Sequence, residues 1–482
     1  MNYLKSALLI LSLGLPAVVA AMSKDDHETL AYGLYEHIVH ADTTHSSGDT
    51  LAVANWIADW LREEGFPDED IHIVEYGETP QGVPKGNLVA RLRSDNPTAK
   101  PVLLLAHLDV VEADPADWSD DINPMVLTSR DGYFYGRGSI DDKDEVAIHL
   151  ANIIRIHREQ LPLTRDIIVA FTADEEGGPH NGAQFLVNEH RELVDAAFAI
   201  NEGGGGVISE GRYVSNSVQA AEKVYQSYTL EVTNPGGHSS LPRKDNAIFE
   251  LAHALTRIQA YEFPVILNET TRAYFQGMSA IETGERAAMM KRLLEDPPAP
   301  EAVAWFADEP GINARLRTTC VATELEAGHA ENALPQRARA TVNCRVFPGV
   351  PVEEVRQTLV SVAATDNLTV TPVREALTSD ASPLKDEVMG PIRSITNDMW
   401  PGAVVLPVMS TGATDGLFFR NAGIPVYGVN GIFVGGGDYR AHGRDERILE
   451  RSFYEGLEFL YRLTRAVAVS EDNPEPGTSL QN

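Results

Sequence analysis

Apolar and polar residues follow one another along the chain in blocks that predict an α/β protein. Amphipathic spacing predicts helices over 27–64 and 145–157. Short, continuous apolar runs at 101–106, 166–171 and 196–200 predict strands that are buried on both faces, as in a parallel sheet. The first 220 residues are therefore predicted to form most of one sheet with its covering helices, and strand and helix patterns resume at 404–406, 425–427 and 448–468.

The pattern changes after about residue 220, where the order of predicted elements becomes β-α-β-β-α-β. This order predicts a small inserted α+β domain over 221–373, between catalytic parts at 22–220 and 374–469. Residues 261–310 are Pro-rich and are predicted to be irregular, apart from a helical piece around 287–294. The acidic, Pro-rich stretch 470–482 is predicted to be a mobile tail.

The N-terminal 21 residues have the features of a signal peptide. Lys5 supplies a positive charge, an apolar core follows over 7–15, and cleavage fits after Ala20 or Ala21. The alternative is a membrane anchor, but the apolar run is shorter than the roughly 20 residues that a span needs. We expect export, periplasmic or secreted, and no later segment is predicted to span a membrane.

The net charge limits the kinds of partner that the protein can bind, and the cysteines bear on its cellular compartment. The formal net charge of −31 argues against nucleic acid and anionic membrane surfaces as partners. If the predicted strands 316–325 and 338–347 pair antiparallel, Cys320 and Cys344 fall opposite each other. A cross-strand disulfide and two buried free thiols both remain possible at this point.

Metal-binding residue types follow three of the predicted strands. One strand ends at His107 and Asp109, the next at Glu175 and Glu176, and the third at Glu202. Ligands of open α/β sheets bind at the carboxyl ends of the strands, so these side chains are expected to converge. Two more candidate ligands, Asp141 and His442, are on predicted loops.

Imidazole and carboxylate ligands suit zinc, with cobalt or manganese as alternatives. Their number exceeds what one ion needs and favours two metals that share a bridging carboxylate. Such a pair polarises a substrate carbonyl and makes hydroxide available near neutral pH, provided that one carboxylate stays unligated to move the proton. Glu175 and Glu176 supply one residue for each task, and Asp109 is placed to hold the far nitrogen of the His107 ring.

Nine motifs, in order, resemble the aminoacylase–carnosinase–glutamate carboxypeptidase family of dinuclear zinc peptidases (clan MH), which includes succinyl-diaminopimelate desuccinylase. They span nearly all of the chain after the signal peptide. They are A-H-L-D-V-V at 106–111, G-R-G-S-I-D-D-K at 136–143, T-A-D-E-E-G at 172–177, N-E-G-G at 201–204, G-G-H-S-S at 236–240, N-A-L-P at 332–335, N-C-R-V-F-P-G at 343–349, T-G-A-T-D at 411–415 and A-H-G-R-D-E at 441–446.

The resemblance implies a fold and a set of roles. The fold is a mixed, mostly parallel sheet with helices on both faces, plus an inserted two-layer lid and dimerisation domain. His107 and Glu202 would bind one Zn²⁺, Glu176 and His442 the other, and Asp141 would bridge them. Glu175 would be the general base, and Asp109 would contact the metal ligands without binding a metal itself.

The resemblance also implies substrate contacts from the lid and from one loop. His238 matches a histidine that stabilises the tetrahedral intermediate, often across a homodimer interface, and Asn332 and Arg345 match lid positions that contact substrate. Gly412 and Thr414 match a loop that lines the pocket. As alternatives, His238 is only a turn residue and Arg345 only a surface charge. The Pro-rich segment 261–310 is expected to enlarge the lid, and the glycine runs 203–206 and 435–437 are expected to form flexible loops.

We therefore expect an exported dizinc hydrolase that cleaves amide bonds of small peptides or N-acyl amino acids. A carboxypeptidase or dipeptidase is slightly favoured over an aminoacylase that acts on N-acyl, including fatty-acyl, amino acids. The other classes are a binding protein that has lost the chemistry and a zinc aminopeptidase without a lid. All candidate ligands are present, which argues against the first, and G-G-H-S-S at 236–240 argues against the second.

Overall fold

The computed structural model describes residues 21–177 and 181–470. The predicted signal peptide and C-terminal tail lie outside these residues, apart from Ala21 and Ser470. Across the described ranges, no helix combines the length and the apolar composition that crossing a membrane requires.

The elements before the inserted region alternate between helices and strands. In chain order they are α1 Lys24–His40, α2 Thr50–Glu63, β1 Ile71–Glu78, β2 Pro84–Leu92, β3 Val102–His107, β4 Thr128–Arg130, β5 Tyr133–Tyr135, α3 Lys143–Arg158, β6 Ile167–Thr172, α4 Gly182–Glu189, α5 Arg191–Val194, β7 Phe198–Asn201, β8 Gly205–Ser209 and β9 Arg212–Glu222.

The inserted region contains more helices than its sequence suggested. Its elements are β10 Val224–Thr233, β11 Gly237–His238, α6 Ala247–Ala260, α7 Glu269–Ile281, α8 Gly284–Arg292, α9 Pro300–Trp305, α10 Pro310–Leu316, β12 Thr319–Ala327, β13 Ala333–Leu334, β14 Arg337–Val346, α11 Val352–Ala363 and β15 Leu368–Pro372.

The chain then returns to the first sheet. The remaining elements are α12 Asp386–Met399, β16 Val404–Ser410, α13 Gly416–Asn421, β17 Val426–Gly428, β18 Phe433–Gly435, β19 Arg447–Leu449 and α14 Glu450–Ala468.

The large sheet is mixed and has helices on both faces, as predicted. Its strand order is β1-β2-β6-β3-β7-β17-β9-β8-β18, with β16 beside β9. In β3, Leu104 packs into the core that includes α1, α2, α3, α12 and α14, whereas Leu103 and Leu105 pack on the opposite face with α4 and α13. Burial on both faces explains why this strand is apolar at successive positions.

A smaller antiparallel sheet in the order β12-β14-β10-β15 is covered on one face by α6 and α11. The chain enters this sheet at Lys223, whose buried Nζ donates to the carbonyl oxygen of Arg317 at 2.8 Å and to Thr319 Oγ1 at 3.1 Å. Lys223 lies on the first connection between the two sheets, and Arg317 lies on a later one, between α10 and β12. The hydrogen bonds of Lys223 therefore link these two connections.

The prediction that 261–310 is irregular and enlarges the lid is wrong, although the helical piece predicted around 287–294 is present as α8. The segment forms α7, α8, α9 and the start of α10, and its apolar side chains pack against Leu406 of β16, in the large sheet. Gly277 permits α7 to lie this close to β16, because a Cβ at this position would be 2.3 Å from Leu406 Cδ2. Pro300 and Pro310 occupy the first turns of α9 and α10, where a proline begins a helix instead of breaking it.

The glycine runs are also more ordered than expected. Gly205 and Gly206 begin β8, and Gly435 ends β18, which pairs with β8 in parallel. A Cβ at Gly206 would lie 2.1 Å from the Phe433 ring, so the missing side chain lets the two strands pair. Close strand packing, which local sequence does not reveal, explains Gly206.

Cys320 and Cys344 form a disulfide. They are direct partners in the register of β12 and β14, as the predicted antiparallel pairing required. The bond fixes β12, which is largely exposed, to the buried strand β14. Of the two alternatives left by the sequence, the structure contains the disulfide.

Candidate metal centre and active site

Three neighbouring strands bring the predicted ligands to one edge of the large sheet. β3 lies between β6 and β7 and is parallel to both, so the carboxyl ends of all three strands are adjacent. His107 ends β3, Glu175 and Glu176 follow β6, and Glu202 follows β7. The predicted convergence of these strand ends is therefore present.

Asp141 and His442 complete the group from two loops. The Asp141 Oδ1 atom lies 3.1 Å from His107 Nε2, and its Oδ2 atom lies 3.1 Å from His442 Nε2. His442 Nε2 also lies 2.7 Å from Glu176 Oε1. Asp141 thus presents one carboxylate oxygen to each imidazole, which is the geometry expected of a bridging ligand.

Two sets of three ligand atoms, each set within 4.8 Å, can be selected from this group. The first contains His107, Asp141 and Glu176, and the second contains His107, Glu175 and Glu202. Glu175, which was predicted to stay unligated, therefore lies beside the same ring as the candidate ligands. This closeness suits a base that takes a proton from a water held at the cluster.

The group carries more negative charge than the protein itself balances. Among the described residues, no Lys or Arg forms an ion pair with Asp141, Glu175, Glu176 or Glu202; the partners within salt-bridge distance are imidazoles. Burial, together with the charge of Glu202, raises the pKa of Glu175 well above its usual value. Cations would remove this repulsion, so the cluster suits one or two metal ions.

The protonation of His107 supports the same interpretation. Its Nδ1 atom lies 3.0 Å from the carbonyl oxygen of Asp109, which can only accept a hydrogen bond. Nδ1 therefore carries the proton in the neutral ring, and the Nε2 lone pair faces the Asp141 carboxylate. Either a second proton or a metal ion must separate these two atoms, and the donor set of imidazole and carboxylates fits zinc.

Asp109 lies against the far nitrogen of His107, as predicted. Its backbone carbonyl oxygen lies 3.0 Å from His107 Nδ1, and its carboxylate Oδ1 lies 3.7 Å from the same atom. The carboxylate accepts the backbone N–H groups of Glu175 at 3.1 Å and Glu176 at 3.0 Å. These two partly buried N–H groups, at the start of a tight turn, thereby have an acceptor within the protein.

Two buried ion pairs near the cluster were missed in the sequence. Lys85 on β2 contacts Asp174, the residue before Glu175, and both side chains are almost fully buried. Arg137 pairs with Glu446 at 2.5 Å and links the turn that carries Asp141 to the loop that carries His442. In the sequence, the only indication of either ion pair was an isolated Lys or Arg in an otherwise apolar or acidic stretch.

The predicted substrate contacts fall into two groups. Thr414 lines the cavity at the cluster and donates from Oγ1 to Glu222 at 2.6 Å, whereas His238, Asn332, Arg345 and Gly412 do not line that cavity. His238 is exposed on β11 and lies beside Asn332, whose carbonyl accepts from Ser239 N. Arg345 donates to the carbonyl oxygen of Thr411, next to Gly412, and stacks on Tyr225.

The cavity at the cluster has a volume of about 500 Å³. Its floor consists of β16, β9, β8 and β18, and it includes small residues such as Gly204, Ser217 and Ser410. Apolar side chains form much of the remaining wall; they are Ile140, Val207, Val408, Ile432, Val434 and Tyr439. A ligand can thus place a polar group at the cluster and an aliphatic group along the wall.

Known proteins with similar sequences fall into one family. The profile of peptidase family M20/M25/M40 matches residues 103–466. Human N-fatty-acyl-amino acid synthase/hydrolase PM20D1 is 28% identical over 394 residues, covering 77% of this chain and 75% of the relative. The probable carboxypeptidase S-like 2 of Dictyostelium discoideum is 27% identical over 391 residues, covering 79% and 74%.

A solved structure has the same fold. The M20 family metallo-carboxypeptidase Sso-CP2 from Sulfolobus solfataricus superimposes with a TM-score of 0.63 at 19% identity, covering 91% of this chain and 99% of that one.

Proposed function

This chain belongs to peptidase family M20/M25/M40 and is a hydrolase, and we propose that it uses two zinc ions to cleave the amide bond between an acyl group and an amino acid with a free carboxylate. The placement of Asp141 between two imidazoles carries the proposal, because each ring faces a different carboxylate oxygen. Cobalt or manganese are the alternative ions that this donor set would accept.

The proposed roles follow the proximity of the side chains. His107 and Glu202 would hold one ion, Glu176 and His442 the other, and Asp141 both. When bound, the ions would polarise the amide carbonyl and acidify a water molecule. The Glu175 carboxylate would take the proton from that water and pass it to the leaving nitrogen, and Asp109 would hold the Glu175 backbone in place for both transfers.

An aliphatic acyl group is the substrate feature that the cavity wall favours. Val207, Val408 and Val434 line the same cavity as the cluster, and a dipeptide with polar side chains would leave them without apolar partners. This observation favours an N-acyl amino acid hydrolase, the activity named for the relative PM20D1. A carboxypeptidase or dipeptidase remains the second candidate, supported by the name of the Dictyostelium relative.

A substrate panel with zinc-loaded enzyme tests the choice. We expect kcat/KM for N-acyl amino acids to rise with acyl length, by up to about fourfold for each methylene that becomes buried. Val207→Ser should reduce this gain and leave the rate with an N-acetyl amino acid unchanged, whereas Val321→Ser, on exposed β12, should change neither.

Preference for a dipeptide over every N-acyl amino acid would support the second candidate. Absence of turnover with every amide, in enzyme shown to contain zinc, would contradict the proposal as a whole.

We further propose a homodimer formed through the smaller sheet and its helices. Leu241, Ile248 and Phe249 are exposed apolar residues in the same region as His238, which the cavity of its own chain does not include. A second copy that covers this surface would bring His238 to the neighbouring site. Sedimentation velocity should detect a dimer that Phe249→Asp converts to a monomer; a monomeric wild-type protein would contradict this assembly.

Export is the remaining part of the proposal. Disulfides persist in oxidising compartments, and the pair Cys320–Cys344 is consistent with a periplasmic or secreted protein. N-terminal sequencing of the mature chain is the direct measurement, and a chain that retains Met1 would contradict cleavage near Ala20 or Ala21.

A further inference from the structure

The proposed substrate carries a carboxylate, and a carboxylate in a partly apolar cavity requires a cation or several N–H donors. Among the described residues that line the cavity, Arg315 is the only Lys or Arg. It belongs to α10, in the helical segment that packs on β16. None of the nine sequence motifs includes this residue.

Arg315 uses few of its hydrogen-bond donors within the protein. Its Nη1 donates to the carbonyl oxygen of Gly311 at 2.7 Å, and its guanidinium lies 4.9 Å from the centre of the Tyr274 ring. The Nε atom is buried and has no hydrogen-bond partner. In residues 21–177 and 181–470, no carboxylate forms an ion pair with this side chain.

Three other arginines between residues 286 and 317 do form ion pairs with carboxylates. Arg286 pairs with Glu282 and Glu309, and Arg292 pairs with Glu295 and Glu301. Arg317, two residues after Arg315, pairs with Glu262. Arg315 is thus a partly buried cation without a counterion, and a planar guanidinium of this kind is suited to two parallel hydrogen bonds with a carboxylate.

The position of Arg315 also fits the amino-acid half of a substrate. It lines the cavity together with Ser410, the last residue of β16, where the loop 411–415 begins. Arg345, the residue that the family resemblance assigns to substrate carboxylate, contacts the same loop at Thr411 but does not line the cavity. Of these two arginines, Arg315 is therefore the one placed to meet a carboxylate inside the cavity.

We propose that Arg315 binds the carboxylate of the amino-acid half of the substrate and so determines specificity for acyl amino acids over simple acyl amides. This proposal rests on the proposed function of the site. Arg315 acts in substrate binding and takes no part in the proton transfers assigned to Glu175.

Two substrates that differ only in the carboxylate test the proposal: an N-acyl phenylalanine and the corresponding N-acyl phenethylamine. For Arg315→Ala we expect KM for the acyl phenylalanine to rise by about 10- to 100-fold. The kinetics with the acyl phenethylamine should stay within about threefold of wild type. Arg315→Lys should recover part of the loss, and Lys291→Ala, an exposed charge on α8, should change neither substrate.

Equal losses with both substrates would overturn the proposal, as would a preference that Arg345→Ala abolishes and Arg315→Ala retains. Binding of the acyl phenylalanine to Glu175→Gln enzyme, with and without Arg315→Ala, decides the matter independently of turnover. If the wild type cleaves no amide, the proposed function fails. The role of Arg315 then depends on this binding comparison alone, and unchanged affinity would overturn it.

Discussion

Replacing Glu175 with glutamine is expected to lower kcat by between about a hundredfold and ten-thousandfold while the metal content stays the same. The amide retains the shape of the side chain but cannot accept a proton from water. The backbone N–H of residue 175 would still donate to Asp109, so the turn should keep its position. Steady-state kinetics and elemental analysis of the same preparation measure the two quantities.

Glu189→Gln is a suitable control for this substitution. Glu189 ends α4, in the same region of the chain, but is exposed and does not line the cavity at the cluster. The variant should therefore retain wild-type kcat. If Glu175→Gln also retained it, Glu175 would not be the general base; if it lost metal instead, Glu175 would be a ligand.

Replacing Asp141 with asparagine is expected to reduce bound zinc from two ions per chain to less than one. The asparagine amide offers one neutral oxygen in place of two charged ones. A single side chain can then no longer bind both the ion beside His107 and the ion beside His442. Loss of the ions removes several kcal/mol of transition-state stabilisation, or at least about a thousandfold in kcat. Elemental analysis after dialysis gives the stoichiometry.

Asp142, the acid next to Asp141, provides the control variant. Asp142 is buried and its Oδ2 accepts the backbone N–H of His107 at 3.1 Å, and the asparagine oxygen in Asp142→Asn can still accept this bond. We expect this variant to retain two ions. Loss of both ions in Asp142→Asn, with two retained in Asp141→Asn, would assign the bridge to Asp142.

His107, Glu175, Glu176 and Glu202 were predictable members of the cluster because strand direction determines where they meet, whereas Asp141 and His442 reach it from loops. β3, β6 and β7 are short apolar runs that end in polar residues, and parallel neighbours place their carboxyl ends together. The family resemblance assigned the bridge to Asp141, and spacing alone would not separate it from Asp142, since both acids follow the same turn. Their difference in the structure depends on three-dimensional contacts that spacing does not contain.

Other features were not predictable from local sequence. The prolines that begin α9 and α10 occur equally in loops, so the helical segment was missed, and with it the approach of Arg315 to the cavity. Lys85 and Asp174 are separated by 89 positions in the chain, and nothing in either neighbourhood indicates their contact. Such pairs are determined by packing between β2 and the turn after β6.

The contact of Lys223 with Arg317 and Thr319 has a consequence for motion between the two sheets. The side chain links two of the chain crossings at one point, so we expect a rotation of the smaller sheet to have its pivot near Lys223. Arg345 lies on β14 and would travel with that rotation, whereas Arg315 lies on a helix fixed to β16 and would stay. Opening and closing would therefore change the distance from Arg345 to the candidate metal ligands and leave that of Arg315 constant.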